Sequence, residues 1–118
     1  PSAIQILLQE FSVGYLEHLN DDAETSYVEN VDMYSDESLL RLFKKTSLGM
    51  YNHEPEDCKV EIKNALNELI LEPRYNLEWA FAAFIFPFGD PRELEDPKHF
   101  FRLIWTALFD EEYNCKVS

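Results

Sequence analysis

The stretch DPKHFFRLIWTALFDEE, residues 96–112, has both the start signal and the apolar spacing of an α-helix. Asp96 is suited to the N-cap, and Pro97 to the first helical position, where the missing N–H of proline costs nothing. The apolar residues recur with the helical period and are predicted to face a core: Phe100, Phe101, Leu103, Ile104, Leu108 and Phe109. Patterns of this kind determine the predicted fold class.

Just upstream, residues 77–86 (LEWAFAAFIF) are apolar on nearly every side, which predicts the central buried helix, with Asn76 as its cap. A buried strand remains the alternative, because periodicity does not separate the two in a short apolar run. The PFGDP sequence, residues 87–91, predicts a turn between this segment and the next helix.

Two further helices are predicted in the middle of the chain. The first starts after Ser35 as N-cap, has two acids in its first turn, and is expected to stop at Gly49. The second starts at Pro55 and stops before Pro73. Its apolar stripe comprises Cys58, Ile62, Ala65, Leu66, Leu69 and Ile70.

Residues 2–20 predict one continuous first helix, with apolar residues at positions 4, 7, 8, 11, 15, 16 and 19 and with Gly14 allowing close packing. A short helix is predicted next, with Ala23, Tyr27, Val28 and Val31 on one stripe. Strand-like alternation of useful length is lacking. The predicted fold is therefore all-α: a compact single-domain bundle of five or six helices spanning residues 1–118.

The composition fits a folded domain. A chain of 118 residues with 46% hydrophobic residues is large and apolar enough to bury one core. Its two cysteines match no zinc or redox spacing and are expected to be thiols in a reducing compartment, although one disulfide is possible. No leader pattern opens the sequence, and its longest apolar run is about half of the roughly 20 residues that span a bilayer. We expect a cytoplasmic protein.

The charge is strongly negative and unevenly distributed. The formal net charge is −13, and residues 1–40 contain nine acids but no lysine or arginine. A body of this charge repels phosphate backbones and anionic lipids, which argues against nucleic acid and membranes as direct ligands. Complementary charge favours a basic protein as partner. The simpler alternative is that acidity only maintains solubility, but a surface serving solubility usually intersperses both signs.

Enzyme and metal signatures are weak. Three scattered glycines do not build a phosphate loop, and Cys58 and His53 are surrounded by no recognised nucleophile signature. Asp96 and His99 have the spacing of half a carboxylate-bridged metal site, but a surface histidine near a helix cap explains them better. We expect no enzyme, no cofactor and no metal.

The segment NDDAETSYVENVDMYSDES, residues 20–38, contains seven carboxylates and is the predicted partner-binding site. Tyr27 and Tyr34 are predicted to be contacts, because a tyrosine in charged surroundings can bury its ring while offering a hydroxyl. The full candidate set is Asp21, Asp22, Glu24, Tyr27, Glu29, Asp32, Tyr34, Asp36 and Glu37. Two other acidic clusters rank below it, one at residues 90–96 and one at residues 110–112.

With this acidic segment on a helical chain of its length, the protein resembles bacterial toxin immunity proteins of the bacteriocin and contact-dependent growth inhibition type. The resemblance implies a cytoplasmic, stoichiometric inhibitor that binds and neutralises a cognate basic toxin, such as a nuclease domain. A nuclease cleft carries Lys and Arg for phosphates, and carboxylates on a rigid scaffold can occupy those positions. The alternative is an acidic adaptor or secretion-type chaperone that holds a client segment in an apolar groove and usually dimerises. For an inhibitor we expect a monomer.

Overall fold

The computed structural model describes residues 3–9, 11–12, 16, 22–71 and 85–110, with only the backbone at residues 3, 5, 6 and 24. These residues form six α-helices and one 3-10 turn, Pro91–Glu93, and contain no strand. The helices are α1 (Ala3–Gln9), α2 (Asp22–Glu29), α3 (Asp36–Lys45), α4 (Ser47–Asn52), α5 (Glu56–Leu71) and α6 (Pro97–Phe109). The radius of gyration is 13.7 Å, close to the roughly 13.5 Å expected for a compact domain of this length. The all-α, compact prediction is confirmed.

Helix α6 begins as its sequence predicts. The Asp96 side chain accepts a hydrogen bond from the Lys98 N–H, and Pro97 occupies the first helical position. Seven of the 13 residues of α6 are buried, and this helix packs most extensively against α3. Of the predicted inward residues, only Phe109 is merely half-buried.

Phenylalanine rings fill the centre of the core. The Phe43 and Phe100 rings meet edge to face, with centroids 5.0 Å apart at 79°. Phe101 adds a second edge-to-face contact to Phe100, at 5.8 Å. Edge-to-face pairs contribute about 0.5–1.5 kcal/mol beyond the burial of their area, so the contact between Phe43 and Phe100 helps to fix how α3 and α6 meet.

Helix α3 starts as predicted but ends early. The Ser35 side chain accepts from the Ser38 N–H, which confirms it as N-cap. The helix ends at Lys45 rather than at Gly49. At Thr46 the backbone is distorted from ideal helical dihedrals, with φ −113° and ψ −72°, and both its N–H and its hydroxyl donate to the Leu42 carbonyl, at 2.9 and 2.7 Å. Gly49 therefore lies inside α4, and the prediction that it stops the helix was wrong. The buried Ser47 hydroxyl donates to the Leu7 carbonyl, which ties α4 to α1.

The predicted first helix is interrupted. Helix α1 ends at Gln9, whose carbonyl accepts from both the Ser12 N–H at 3.1 Å and the Ser12 hydroxyl at 2.8 Å. Helical bonding resumes where the Leu16 N–H reaches the Ser12 carbonyl. A serine that satisfies a carbonyl three residues earlier competes with helix continuation, which apolar spacing alone does not register. Phe11 is nevertheless buried, so the predicted core face is retained at that position.

Helix α5 follows its predicted apolar stripe throughout, and the stripe predicted around α2 is followed except at its first residue. Val28 and Val31 are buried and Tyr27 is half-buried, but Ala23 at the start of α2 is exposed. In α5, the stripe from Cys58 to Ile70 is buried or half-buried throughout.

Most of the predicted central helix at residues 77–86 lies outside the described residues, as do Asn76 and Pro73. At its end, Ile85 is exposed and Phe86 is buried.

The predicted PFGDP turn is present, with the Gly89 N–H donating to the Phe86 carbonyl. Gly89 has a φ of 128°, a conformation that L side chains rarely adopt. A Cβ there would lie 3.3 Å from the Met33 methyl carbon.

Within the described residues, no helix is long and apolar enough to cross a membrane.

The two described glycines predict substitutions of opposite sign. Gly89→Ala should destabilise the protein by roughly 1–3 kcal/mol, because the backbone there is strained for any residue with a Cβ. Gly49→Ala is the matched control: its Cβ would meet nothing within 4 Å, and alanine in a helix should stabilise by up to about 1 kcal/mol. Urea unfolding of both variants measures the difference. Shifts of the same sign would contradict this account of the 86–89 turn.

Candidate functional site

A surface groove of about 340 Å³ lies between the residues that precede α3 and the residues that precede α6. Its floor is apolar and its rim carries three carboxylates, one exposed tyrosine and one histidine. The lining residues are Met33, Tyr34, Asp36, Leu39, Leu94, Glu95, Asp96 and His99. We refer to this concavity as the Tyr34 groove.

Asp32 shapes the turn that presents Tyr34. One Asp32 carboxylate oxygen accepts from the Tyr34 N–H at 3.0 Å, and the Asp32 carbonyl accepts from the Ser35 N–H at 3.0 Å. The Asp32 N–H in turn donates to the Ser38 hydroxyl at 2.9 Å. Aspartate side chains commonly stabilise turns in this way. The turn leaves Tyr34 72% exposed while its neighbour Met33 is only 4% exposed.

Asp96 builds the opposite rim and has a structural role of its own. Besides capping α6, it pairs with Arg102, with a 2.7 Å distance between Oδ2 and Nη1. The hydrogen bond from Arg102, reinforced by the charge of that guanidinium, holds the pKa of the Asp96 carboxyl below its usual value. Carboxylates at helix N-termini are also favoured by the helix dipole.

His99 joins the two sides of the groove. Its Nε2 lies 2.9 Å from Oδ1 of Asp36, the first residue of α3. Although Asp36 and His99 are 63 positions apart, this contact places the starts of α3 and α6 side by side. Two acidic clusters that the sequence analysis ranked separately therefore meet at one groove.

The structure distributes the predicted partner-binding residues over different surroundings. Tyr34 and Asp36 line the Tyr34 groove, and Asp32 accepts the hydrogen bond that holds the Tyr34 turn. Asp22, Glu29 and Glu37 are exposed. Asp21 lies outside the described residues, as does the side chain of Glu24.

Tyr27 faces a separate cleft of about 450 Å³ between α2 and α3, which Arg41 also lines. Its half-buried ring packs against the core, and the Lys45 ammonium lies 5.0 Å from the ring centroid. Arg41 pairs with Glu37 at 2.6 Å. The acidic segment thus gains cationic neighbours from the later part of α3. Tyr34 is the more exposed of the two predicted tyrosines.

No pattern in the sequence indicates that Leu94, Glu95 and His99 lie close to Tyr34. By sequence, Glu95 belongs to the second-ranked acidic cluster and His99 is a surface histidine near a helix cap. Only the pairing of α3 with α6 brings them to one place. Composition offered a partial signal, because residues 90–96 contain four acids.

Of the other two acids of that turn, Glu93 is exposed and Asp90 is paired with Arg92. Asp90 accepts from the Arg92 side chain at 2.8–3.0 Å and caps the 3-10 turn through the Arg92 N–H. The hydrogen bond from the Arg92 side chain is the main cause of the lowered pKa of Asp90. In the third cluster, Asp110 ends α6 in a left-handed conformation with a φ of 54°, while residues 111–112 lie outside the described part.

The pair of His53 and Cys58 has no arrangement that activates a thiol. His53 Nδ1 lies 2.7 Å from the Gly49 carbonyl at the end of α4. Desolvation, and then the nearby carboxylates of Asp57, Glu54 and Glu61, raise the pKa of the Cys58 thiol, whereas a nucleophilic cysteine needs a lowered pKa. In the described part of the chain, no group of three or more His, Cys, Asp or Glu side chains is arranged to hold a metal ion.

No protein-family model, curated protein or solved structure matches the chain. Its chemistry must therefore be inferred from the groove itself. Asp32, Asp36 and Asp96 have hydrogen-bond or ion-pair partners that explain their positions. Tyr34 and Glu95 are exposed at the rim, and no ion pair with another described residue accounts for Glu95.

The lowered pKa of Asp96 predicts acid sensitivity. Because its carboxyl loses its proton more readily in the folded state, the stabilisation is present above about pH 4 and is lost as the pH falls through the folded pKa. Asp96→Asn keeps a capping side chain but loses the ion pair, which should lower the unfolding free energy at pH 7 by roughly 0.2–1 kcal/mol, since the pair is partly exposed. Asp96→Ala also loses the cap and should cost about 1 kcal/mol more.

Urea unfolding of the wild type and both variants from pH 7 to pH 2.5 tests this. The difference between the wild type and Asp96→Asn should shrink toward zero in acid. A difference that is constant with pH would show that the ion pair with Arg102 does not stabilise the fold.

Proposed function

We propose that this protein is a stoichiometric inhibitor that binds a basic partner protein through its acidic surface, in the manner of a bacterial toxin immunity protein. The observation that carries the proposal is the Tyr34 groove. A 72% exposed tyrosine ring stands there beside carboxylates, over a floor made by Met33, Leu39 and Leu94. A large exposed ring at an apolar depression is the kind of residue that anchors an interface once a partner covers it.

Electrostatics supports the same proposal. The net charge of −13 generates a long-range negative field that accelerates encounter with a basic protein, and more so at low salt. The local ion pairs of Asp90 and Asp96 with arginines neutralise part of the charge at short range. The exposed acids of α2, Asp22 and Glu29, lie seven residues apart and therefore on the same side of that helix. The most concrete target class is a toxin with a nuclease domain, whose cleft presents Lys and Arg for phosphates.

An acidic adaptor or chaperone is the second candidate, because the floor of the groove is apolar. Such a protein is expected to expose a contiguous apolar patch. Among the described residues, the large exposed apolar side chains are Tyr34, Val60, Leu71 and Ile85. Val60 and Leu71 share a face of α5, since 11 residues make about three helical turns. Salt dependence separates the candidates: a chaperone should hold an apolar client about equally well at low and high salt.

The first experiment is to co-express the chain with the protein encoded by the adjacent reading frame. We expect a one-to-one complex with a basic protein, loss of that protein's activity in the complex, and weaker binding as salt rises. A homodimer that holds peptides regardless of salt would instead support the chaperone. A basic neighbour that neither binds nor loses activity would contradict the inhibitor proposal.

Charge reversal at the groove should slow association. Glu95→Lys is expected to lower the association rate by roughly three- to tenfold at low salt and by less at 0.15 M, where the Debye length is about 8 Å. Glu61→Lys is the matched control, because it changes the net charge equally but lies exposed on α5. Asp32 is unsuitable for reversal, since its carboxylate holds the Tyr34 turn. Stopped-flow binding at two salt concentrations measures the effect, and equal slowing by both variants would locate the interface elsewhere.

Tyr34→Ala should act on dissociation rather than on association. A desolvated tyrosine anchor contributes about 2 kcal/mol or more to binding, whereas loss of an exposed ring should change folding stability by no more than about 0.5 kcal/mol. Calorimetric titration of the complex and urea unfolding of the free chain give the two numbers. An unchanged affinity would remove Tyr34 from the interface.

A further inference from the structure

The Tyr34 groove has features that together discriminate between possible occupants. Its floor is apolar, one wall carries an exposed aromatic ring, and its rim holds the carboxylates of Asp36, Glu95 and Asp96. Pockets for ligands range from roughly 300 to 1,000 Å³. At about 340 Å³ the groove has room for one long side chain and the backbone next to it.

The charge balance of the groove is negative. Asp96 is paired with Arg102, and Asp36 contacts His99. Glu95 is exposed and has no ion pair with any residue in the described ranges. The groove therefore offers at least one carboxylate to a cation from outside, while Asp36 can exchange its histidine contact for a stronger one.

Arginine fits this combination better than lysine does. Its guanidinium is planar, stacks on aromatic rings and forms two parallel hydrogen bonds with one carboxylate. Its methylene stem also covers apolar surface while the charge stays at the rim. Lysine offers a compact, strongly hydrated charge that gains less from the Tyr34 face.

A second copy of this chain is a poor occupant. A symmetric dimer through the groove would bring the same carboxylates of both copies together. The net charge of −13 on each copy adds to that repulsion.

We propose that the Tyr34 groove receives an arginine side chain of the partner protein, with the guanidinium stacked on Tyr34 and bonded to Glu95. This inference rests on the proposed inhibitor function, because it names the chemical group through which the basic partner is recognised. It assigns Tyr34 and Glu95 to specificity, whereas Asp32 and Asp96 position the two sides of the groove.

The test uses the full chain and a probe that needs no partner. The chain contains two methionines: Met33 lines the groove, and Met50 lies in α4 and does not. With methyl-labelled methionine, titration with N-acetyl-arginine amide should shift the Met33 signal saturably and leave the Met50 signal in place. N-acetyl-lysine amide should bind several-fold more weakly, and the uncharged N-acetyl-citrulline amide should not bind.

Variants complete the design. Glu95→Gln should weaken binding of the arginine probe by roughly threefold or more, because a charge-assisted bidentate pair becomes a neutral contact, and Tyr34→Leu should remove the preference for arginine over lysine. Glu93→Gln is the matched control, since Glu93 is exposed in the neighbouring 3-10 turn. Its binding should equal that of the wild type. Dispersed amide spectra establish that each variant is folded.

Equal shifts at Met33 and Met50, or citrulline binding as tight as arginine binding, would overturn the arginine assignment. So would an unchanged affinity in Glu95→Gln. These outcomes are independent of the inhibitor proposal, which stands or falls with complex formation and loss of activity of a basic partner. A partner that is inhibited while the probe fails to bind would place its contacts on another acidic surface.

Discussion

The packing of α6 against α3 is the constraint on which the rest of the structure depends. Edge-to-face contact between Phe43 and Phe100 sets this packing in the core, and the contact between Asp36 and His99 joins the first turns of the two helices at the surface. The core contact supplies the greater share of the stability, because ion pairs at exposed positions contribute little. The surface contact links the starts of two helices that the core packing has already brought together. The Tyr34 groove forms because the first turns of the two helices lie side by side.

Charge operates at two ranges in this protein. At short range, carboxylates near helix starts satisfy N–H groups and pair with Arg41, Arg92, His99 and Arg102. These contacts stabilise the fold, and they explain the positions of several acidic residues without a binding partner. At long range, the excess of acids remains, because ten basic residues face 23 acidic ones. The long-range field favours encounter with a cation, and in our proposal the groove is where that cation binds.

Tyr34 and Glu95 differ from their neighbours in one respect. The neighbouring side chains have structural roles in turns, caps or the core, whereas these two side chains have none that the described structure shows. Asp32 is held in a turn, Met33 is buried against Gly89, and Asp96 caps a helix. A tyrosine ring left 72% exposed beside these well-bonded residues forgoes the burial that its size would allow. Exposed aromatic residues on a rigid support are economical anchors for binding, since little conformational freedom is lost when a partner covers them. This contrast is the physical basis for the proposal that this pair recognises a partner.

The sequence by itself determined the helical class, the caps of α3 and α6 and the core faces of α5 and α6, because capping and apolar spacing act within a few residues. It misjudged the helix boundaries at Gln9 and Lys45, where the hydroxyls of Ser12 and Thr46 bond to nearby carbonyls and local propensities are nearly balanced. It predicted Tyr34 and the acidic segment as a binding site, but not their neighbours across the groove. Only the tertiary structure decided that Glu95 and His99 lie beside Tyr34 and Asp36, since contacts across about 60 positions depend on how whole helices pack and leave no periodic trace in the sequence.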